Sequence, residues 1–202
     1  MTDCKETRTL YLASGNAGKL KEFRVLAERA GTNWQLELHP GYANLPEFEE
    51  GAPTFAENAA GKAFYYSLRG DGIVFADDSG LVVPALGGAP GVLSARYAGP
   101  GASSEQKIAK LLFEMKGLEG ANRSAYFVCV IAAVRNGRAV AVVSEKVDGE
   151  ILDSPRGSDG FGYDPVFYFP PLGKTFAELR AEEKSLQSHR GKAFRRLLEV
   201  LR

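Results

Sequence analysis

The chain has 202 residues, of which 45% are hydrophobic and 25% are charged, a composition typical of one globular domain. Its formal net charge is zero, so overall charge favours neither a nucleic acid nor an anionic membrane as a partner. No apolar run approaches the roughly 20 residues that span a bilayer, and the N-terminus lacks the apolar core of a signal peptide. We therefore expect one cytoplasmic domain over residues 1–202, with a flexible leader at residues 1–8.

The first predicted strand, at residues 9–14, leads into a glycine-rich turn and then a helix. The turn ends at Lys19 and contains Gly15 and Gly18. A strand, turn and helix in this order aim backbone N–H groups at a phosphate, and Lys19 adds a positive charge. The glycine spacing is not that of a P-loop, so an ordinary turn between strand and helix is the alternative interpretation.

The second predicted strand, at residues 34–39, is followed by an acidic segment and a helix. The acidic segment contains three glutamates, Glu47, Glu49 and Glu50. Thr54 and Glu57 form a capping box that predicts a helix continuing to about Leu68. The glutamates either stabilise the helix dipole or supply a further carboxylate to a metal site.

The central functional signal is a short apolar strand that ends in Asp77, Asp78, Ser79 and Gly80. Adjacent carboxylates repel each other, and a divalent cation is the usual partner that makes such a pair tolerable. Ligands of open α/β sheets bind at the carboxyl ends of the strands. A solvated turn is the alternative interpretation, and a further strand is predicted at residues 81–86.

The second half of the chain predicts an antiparallel hairpin, unlike the strand–helix units before it. A long apolar strand at residues 124–134 and a return strand at residues 139–147 are joined by Asn136 and Gly137, which suit a two-residue turn. The chain therefore predicts an α/β fold with an elongated mixed sheet and flanking helices.

A glycine-rich loop near residues 157–165 carries aromatic and acidic side chains. Phe161 lies between two glycines, and Asp164 precedes a proline. Such a loop can bring an aromatic ring close to a planar ligand, although aromatic side chains packed in the core are the commoner case. Lys184 and Arg190 are predicted near the start of the last helix, where cations oppose the dipole and a bound anion or polar ligand edge relieves that cost.

Several blocks of the sequence, in order, resemble the family of inosine/xanthosine triphosphate pyrophosphatases, and the resemblance extends from residue 10 to residue 201. The blocks are residues 14–19 (SGNAGK), 54–59 (TFAENA), 76–81 (ADDSGL), 86–91 (LGGAPG), 94–97 (SARY), 160–165 (GFGYDP) and 188–190 (SHR). The resemblance implies two lobes around a central nucleotide-binding cleft, and a homodimer. It also implies Mg²⁺-assisted attack of water at the α-phosphorus of inosine, deoxyinosine and xanthosine triphosphates, giving the monophosphate and pyrophosphate.

The same resemblance implies roles for individual residues. Asp78 is the implied catalytic carboxylate and a metal ligand, and Glu49 matches the second acidic metal position, although Glu47 and Glu50 stay open as alternatives. The implied triphosphate-binding residues are Ser14, Gly15, Asn16, Ala17, Gly18 and Lys19. The implied remainder of the substrate site is Ser79, Phe161 stacked on the purine, Gly162, Tyr163, Asp164, Lys184, His189 and Arg190. A related pyrophosphatase with another base preference and a non-catalytic nucleotide sensor are the alternatives.

Overall fold

The computed structural model describes residues 8–15 and 17–202, and for Ala17 and Gly18 it describes the backbone alone. The leader predicted at residues 1–8 therefore lies outside the described residues, except for Arg8. Arg8 is the first residue of a strand, so the prediction is wrong at that position. Asn16 also lies outside the described residues.

Seven strands among the described residues form one mixed sheet. They are β1 (Arg8–Leu12), β2 (Trp34–Leu38), β3 (Ile73–Val82), β4 (Ser124–Arg135), β5 (Arg138–Ile151), β6 (Phe167–Phe169) and β7 (Lys174–Thr175). Their order is β2-β1-β3-β4-β5-β6-β7. Strand β1 is parallel to β2 and β3, whereas β6 is antiparallel to β5 and β7. The predicted α/β fold with a mixed sheet is confirmed.

Short-range signals placed the turn and the helix caps correctly. The turn between β4 and β5 has φ values of 49° at Asn136 and 71° at Gly137, as a two-residue hairpin requires. Helix α2 (Phe55–Ser67) begins after Thr54, whose Oγ1 accepts a hydrogen bond from the Glu57 backbone N–H at 3.2 Å. The predicted start and end of this helix are therefore confirmed.

Four further helices of at least seven residues lie within the described part of the chain. They are α1 (Ala17–Arg29), α3 (Ser104–Glu114), α4 (Ala181–Gln187) and α5 (His189–Val200). Lys184 was predicted in a segment leading to the last helix, but it lies within α4, a separate short helix. No helix in the described part of the chain combines the length and apolarity needed to cross a membrane.

Strand β3 is longer than predicted and includes the adjacent carboxylates Asp77 and Asp78. It runs without interruption from Ile73 to Val82, so Asp77 and Asp78 lie inside a strand and not in a turn at its end. The separate strand predicted at residues 81–86 is confirmed only at Leu81 and Val82, which are the last residues of β3, and is wrong beyond them, because residues Pro84–Leu86 form a 3₁₀ segment. Since successive side chains of a strand point to opposite faces, the two carboxylates are directed away from each other.

The described residues divide into two compact units. The first contains residues up to Asp78 together with Val130–Ser144 and Gly191–Arg202, and the second contains Ser79–Cys129 and Glu145–Arg190. Each unit has its own aromatic core. In the first, the ring of Phe23 lies 5.3 Å from Phe75 and 4.7 Å from Phe194. In the second, Phe167 lies 4.6 Å from Phe127 and 4.9 Å from Phe176.

Candidate active site

Asp78 lies in the first unit with its carboxylate almost fully buried. Its side chain is held by Asn58 of α2, whose Nδ2 donates to Asp78 Oδ2 at 3.0 Å. Asn58 is itself fixed, because its Oδ1 accepts from the Ala52 backbone N–H at 2.9 Å. Burial raises the pKa of Asp78 to about 6, with the negative charges of Glu50 and Asp77 adding to this and the Asn58 hydrogen bond opposing it. The result is a rigid carboxylate that titrates near neutrality.

Asp77 is directed toward the helix that follows β1. Its two carboxylate oxygens accept hydrogen bonds from Lys19 Nζ at 2.9 and 3.0 Å. The Asp77 side chain is fully buried, whereas that of Lys19 retains 23% exposure. Lys19 therefore neutralises one member of the carboxylate pair while part of its side chain stays exposed.

Lys62 connects the acidic segment to β3. Its Nζ donates to the backbone carbonyl of Asp77 at 2.9 Å and forms an ion pair with Glu50. Burial lowers the pKa of Lys62, but the negative charges of Asp77 and Glu50 together outweigh this effect, so the pKa is raised overall. Lys62 therefore stays positively charged, and this charge acts on Asp78.

We refer to Lys19, Glu50, Asn58, Lys62, Asp77 and Asp78 as the carboxylate cluster. Its carboxylates outnumber its ammonium groups by one, which fits the raised pKa of Asp78. A divalent cation would reverse this local charge and attract a polyphosphate.

The donor set around Asp78 also indicates which kind of metal site fits. No group of three His, Cys, Asp or Glu side chains within residues 8–15 and 17–202 is placed to hold a metal ion alone. Mg²⁺ is usually bound through one or two carboxylates together with waters and substrate phosphates. The cluster thus fits an ion that shares its ligands with a nucleotide. Glu49 is exposed, whereas Glu50 acts electrostatically on Asp78; the metal role of Glu49 stays a prediction.

The second unit contains the predicted aromatic loop, residues 160–164. Asp164 is only 3% exposed. Its carboxylate accepts a hydrogen bond from the Phe161 backbone N–H at 2.7 Å and forms an ion pair with Lys184. Burial raises the pKa of Asp164, and the Lys184 charge opposes this shift. Gly160 has φ of +80°, and a Cβ there would meet the Asp164 carboxylate. The buried ion pair thus fixes the shape of the loop.

Phe161 projects from this loop with 57% of its surface exposed. Lys184 Nζ lies 4.4 Å from the ring centroid and Arg190 Cζ lies 5.5 Å from it. A planar base can stack on an exposed aromatic ring. The two cations beside the Phe161 ring can donate hydrogen bonds to the edge of such a base.

The remaining predicted substrate residues of this unit pack closely. Arg190 is buried, and its Nη2 donates to Ser79 Oγ at 3.1 Å. The ring of His189 stacks on Phe127 with centroids 4.7 Å apart and 12° between the planes. The structure therefore brings Ser79, Arg190 and Phe161 together in one unit and holds His189 against the aromatic core.

Tyr163 occupies the apolar core of the second unit, although it was predicted to bind substrate. Its side chain is 4% exposed, and its hydroxyl donates to the Ser94 backbone carbonyl at 3.0 Å. Burial raises the pKa of this hydroxyl. In this structure the contacts of Tyr163 support the loop that carries Phe161; its contact with substrate stays a prediction.

Three residues of the carboxylate cluster were missed or left without a role by sequence reasoning. They are Asn58, Lys62 and Glu50, the last having been weighed only as an alternative to Glu49. The available signal was the spacing of Asn58 and Lys62, which are four residues apart in α2 and so lie on one helix face. The sequence pattern was interpreted only as a capped helix, and the contact of this face with Asp77 and Asp78 was not predicted.

Comparisons with known proteins give a consistent result. The model of the Ham1 family matches residues 10–200. A protein of Geobacillus kaustophilus named dITP/XTP pyrophosphatase is 48% identical, with 95% of this chain and 93% of the relative covered. A dITP/XTP pyrophosphatase of Acidobacterium capsulatum is 47% identical, with 96% and 98% covered. The structure of a HAM1 protein from Coxiella burnetii is 39% identical and superposes with a TM-score of 0.87, covering 96% of this chain and 98% of that one.

Proposed function

The chain belongs to the Ham1 family, and on that basis we propose that it hydrolyses deaminated purine nucleoside triphosphates to the monophosphate and pyrophosphate. Inosine, deoxyinosine and xanthosine triphosphates are the proposed substrates. Relatives at 48% and 47% identity are named dITP/XTP pyrophosphatases. The observation that carries the chemistry is the buried carboxylate of Asp78, which Asn58 holds at 3.0 Å and which lies within electrostatic range of Glu50 and Lys62.

Mg²⁺ is the proposed cofactor, with Asp78 as its protein ligand and Glu49 as the predicted second one. When bound, this ion would supply positive charge to the phosphates during cleavage. Phosphoanhydride cleavage depends chiefly on positioning and charge neutralisation, and these are the properties that the carboxylate cluster provides.

The side chains of the first unit have distinct proposed roles. Asp78 orients the attacking water and accepts its proton as the proposed general base. Lys19 and the N-terminal amides of α1 bind the phosphates beyond the scissile bond. Lys62 holds the β3 backbone at Asp77 and keeps Glu50 in place, so that the carboxylates stay fixed during turnover.

The second unit supplies the proposed base recognition. The Phe161 ring stacks on the purine, while Lys184 and Arg190 donate hydrogen bonds to its 6-oxo edge. Adenine carries an amino group at that position, which would face donors and leave buried polar groups unmatched. Mismatches of this kind give strong discrimination between substrates, so adenosine triphosphate is expected to be a poor substrate.

Replacing Phe161 with alanine should weaken nucleotide binding by about 1–3 kcal/mol, the range typical of base–aromatic stacking. The effect should appear in KM for inosine triphosphate, measured by steady-state pyrophosphate release. Phe161→Tyr keeps the ring and serves as the matched control. An unchanged KM for Phe161→Ala would place the base elsewhere.

Mg²⁺ binding should strengthen as the pH rises and the Asp78 carboxyl group loses its proton. The apparent Mg²⁺ affinity should fall by up to about tenfold per pH unit below the Asp78 pKa, because proton and metal compete for one carboxylate. Since that pKa is about 6, the affinity should level off above it. The dependence of Tm on Mg²⁺ concentration, recorded across this pH range, measures the effect. A pH-independent affinity would exclude Asp78 as the ligand.

The homodimer stays a prediction from the family resemblance, and the cytoplasmic location stays a prediction from the sequence. The nucleotide sensor is the less favoured alternative, because a sensor has no need of the Asp78 carboxylate held by Asn58 at 3.0 Å.

A further inference from the structure

Gly15, which follows β1, lies against an aromatic side chain that none of the proposed roles includes. Tyr42 begins a short 3₁₀ segment after β2. A Cβ added at Gly15 would lie 2.9 Å from Tyr42 Cε1, with two further ring atoms within 3.7 Å. Gly15 does not have a left-handed φ. The ring, and not the backbone conformation, therefore excludes a side chain at this position.

The Tyr42 ring packs against helix α2. Its ring stacks on Tyr66, with centroids 4.9 Å apart and 23° between the planes. Tyr66 is fully buried and is packed by His39 at 5.7 Å and Tyr65 at 5.0 Å. A ring supported in this way moves little, because close-packed interiors resist displacement.

Helix α2 also supplies Asn58 and Lys62, which hold Asp78 and the backbone of Asp77. The stack of Tyr42 on Tyr66 therefore joins the turn at Gly15 to the helix that fixes the carboxylate cluster. All of these residues lie in the first unit.

We propose that Tyr42 is a positioning residue for the triphosphate-binding turn. Its ring sets the distance between Gly15 and α2, and so aligns the turn with the carboxylates of β3. The proposal rests on the assignment of this turn to the substrate phosphates. Its consequence is that loss of the ring impairs substrate binding, although Tyr42 itself contacts no reacting atom.

A double-mutant cycle tests this contact. Tyr42→Ala and Gly15→Ala are each expected to raise KM for inosine triphosphate about tenfold, since small misplacements in a site carry large penalties. The added methyl group at Gly15 crowds the ring only when the ring is present. Gly15→Ala should therefore have a much smaller effect in the Tyr42→Ala background. Strictly additive effects would overturn the proposal.

Two controls separate positioning from general destabilisation. Tyr42→Phe retains the ring and should restore near-wild-type KM. Phe64→Ala removes an aromatic side chain from α2 that is 47% exposed, and KM should stay unchanged. Should Tyr42→Ala melt below the assay temperature, Tyr42→Leu replaces it in the cycle. A KM for Tyr42→Phe as high as that for Tyr42→Ala would also overturn the proposal.

Failure of this inference is distinguishable from failure of the assigned phosphate site. Lys19→Ala tests the assignment directly, because Lys19 lies in the first turn of α1, beside the phosphate-binding turn, and is held by Asp77 and not by Tyr42. An unchanged KM for Lys19→Ala would remove both the assignment and the inference. A raised KM for Lys19→Ala with no effect of Tyr42→Ala would remove the inference alone.

Discussion

Replacement of Asp78 by asparagine is expected to lower kcat by about 10²–10⁴-fold, the range for loss of a general base. Asparagine has the same shape and retains an oxygen that can accept the hydrogen bond from Asn58, seen at 3.0 Å in the structure. It lacks the negative charge needed to bind a cation and the basicity needed to take a proton from water. Pyrophosphate release from inosine triphosphate measures the loss.

The same variant has an expected signature in stability. The folded-state pKa of Asp78 is about 6, raised from its ordinary 3.8 by burial. Its protonated form therefore stabilises the folded protein at low pH, and that contribution is lost as the pH rises through the folded pKa. Asparagine stays neutral, so Asp78→Asn should raise the Tm of the metal-free protein at about pH 8 and leave it unchanged near pH 4.

Asp71→Asn, an exposed position shortly before β3, is the matched control and should change neither kcat nor Tm. A kcat near the wild-type value for Asp78→Asn would contradict its assigned role. Lost activity together with a lower Tm at pH 8 would indicate that the carboxylate is needed for folding, and would contradict the expected rise in Tm.

Lys184→Met should destabilise the folded protein by about 3 kcal/mol, because removing one partner of a buried ion pair leaves the other charge uncompensated. Asp164 is 3% exposed, and burial already raises its pKa. Urea unfolding measures this loss. The variant should also hydrolyse inosine triphosphate with less preference over adenosine triphosphate, since one donor near Phe161 is gone.

Lys146→Met makes the same chemical change in an exposed ion pair, where Lys146 Nζ lies 2.9 Å from Asp148. Exposed pairs contribute little to stability, so the urea midpoint should not move. Equal losses for the two variants would mean that the Lys184–Asp164 pair behaves as a surface pair. Unchanged base preference in Lys184→Met would remove Lys184 from the proposed base pocket.

The parts of the fold that the sequence predicts well are those set by neighbouring residues. Thr54 caps a helix through a residue three positions later, and Asn136 with Gly137 closes a hairpin through its own φ angles. Strand β3 was misjudged because Asp, Ser and Gly disfavour strands. In the structure, Lys19 and Asn58 contact Asp77 and Asp78. Such tertiary contacts outweigh local propensity, and they are not visible in a local pattern.

The candidate site shows the same division. Asp78, Lys19 and Phe161 stood out because their local sequence contexts are unusual. Asn58 and Lys62 did not, since their partners on β3 lie 20 and 15 residues away along the chain. The packing of Tyr163 into the core could not be read from the loop sequence either, because an aromatic residue in a glycine-rich loop suits both a ligand contact and a core position.

Product analysis in the presence of Mg²⁺, with inosine, adenosine and guanosine triphosphates compared side by side, tests the proposed reaction and its base selectivity together. We expect rapid release of pyrophosphate and monophosphate from inosine triphosphate and much slower hydrolysis of adenosine triphosphate, whose amino group would face the donors at the 6-position. Guanosine triphosphate shares the 6-oxo group, so its rate measures discrimination at the 2-amino position alone. Equal rates on all three would retain the phosphoanhydride chemistry but contradict the base selectivity. Tight binding of inosine triphosphate without turnover would contradict the enzymatic function and favour a nucleotide sensor.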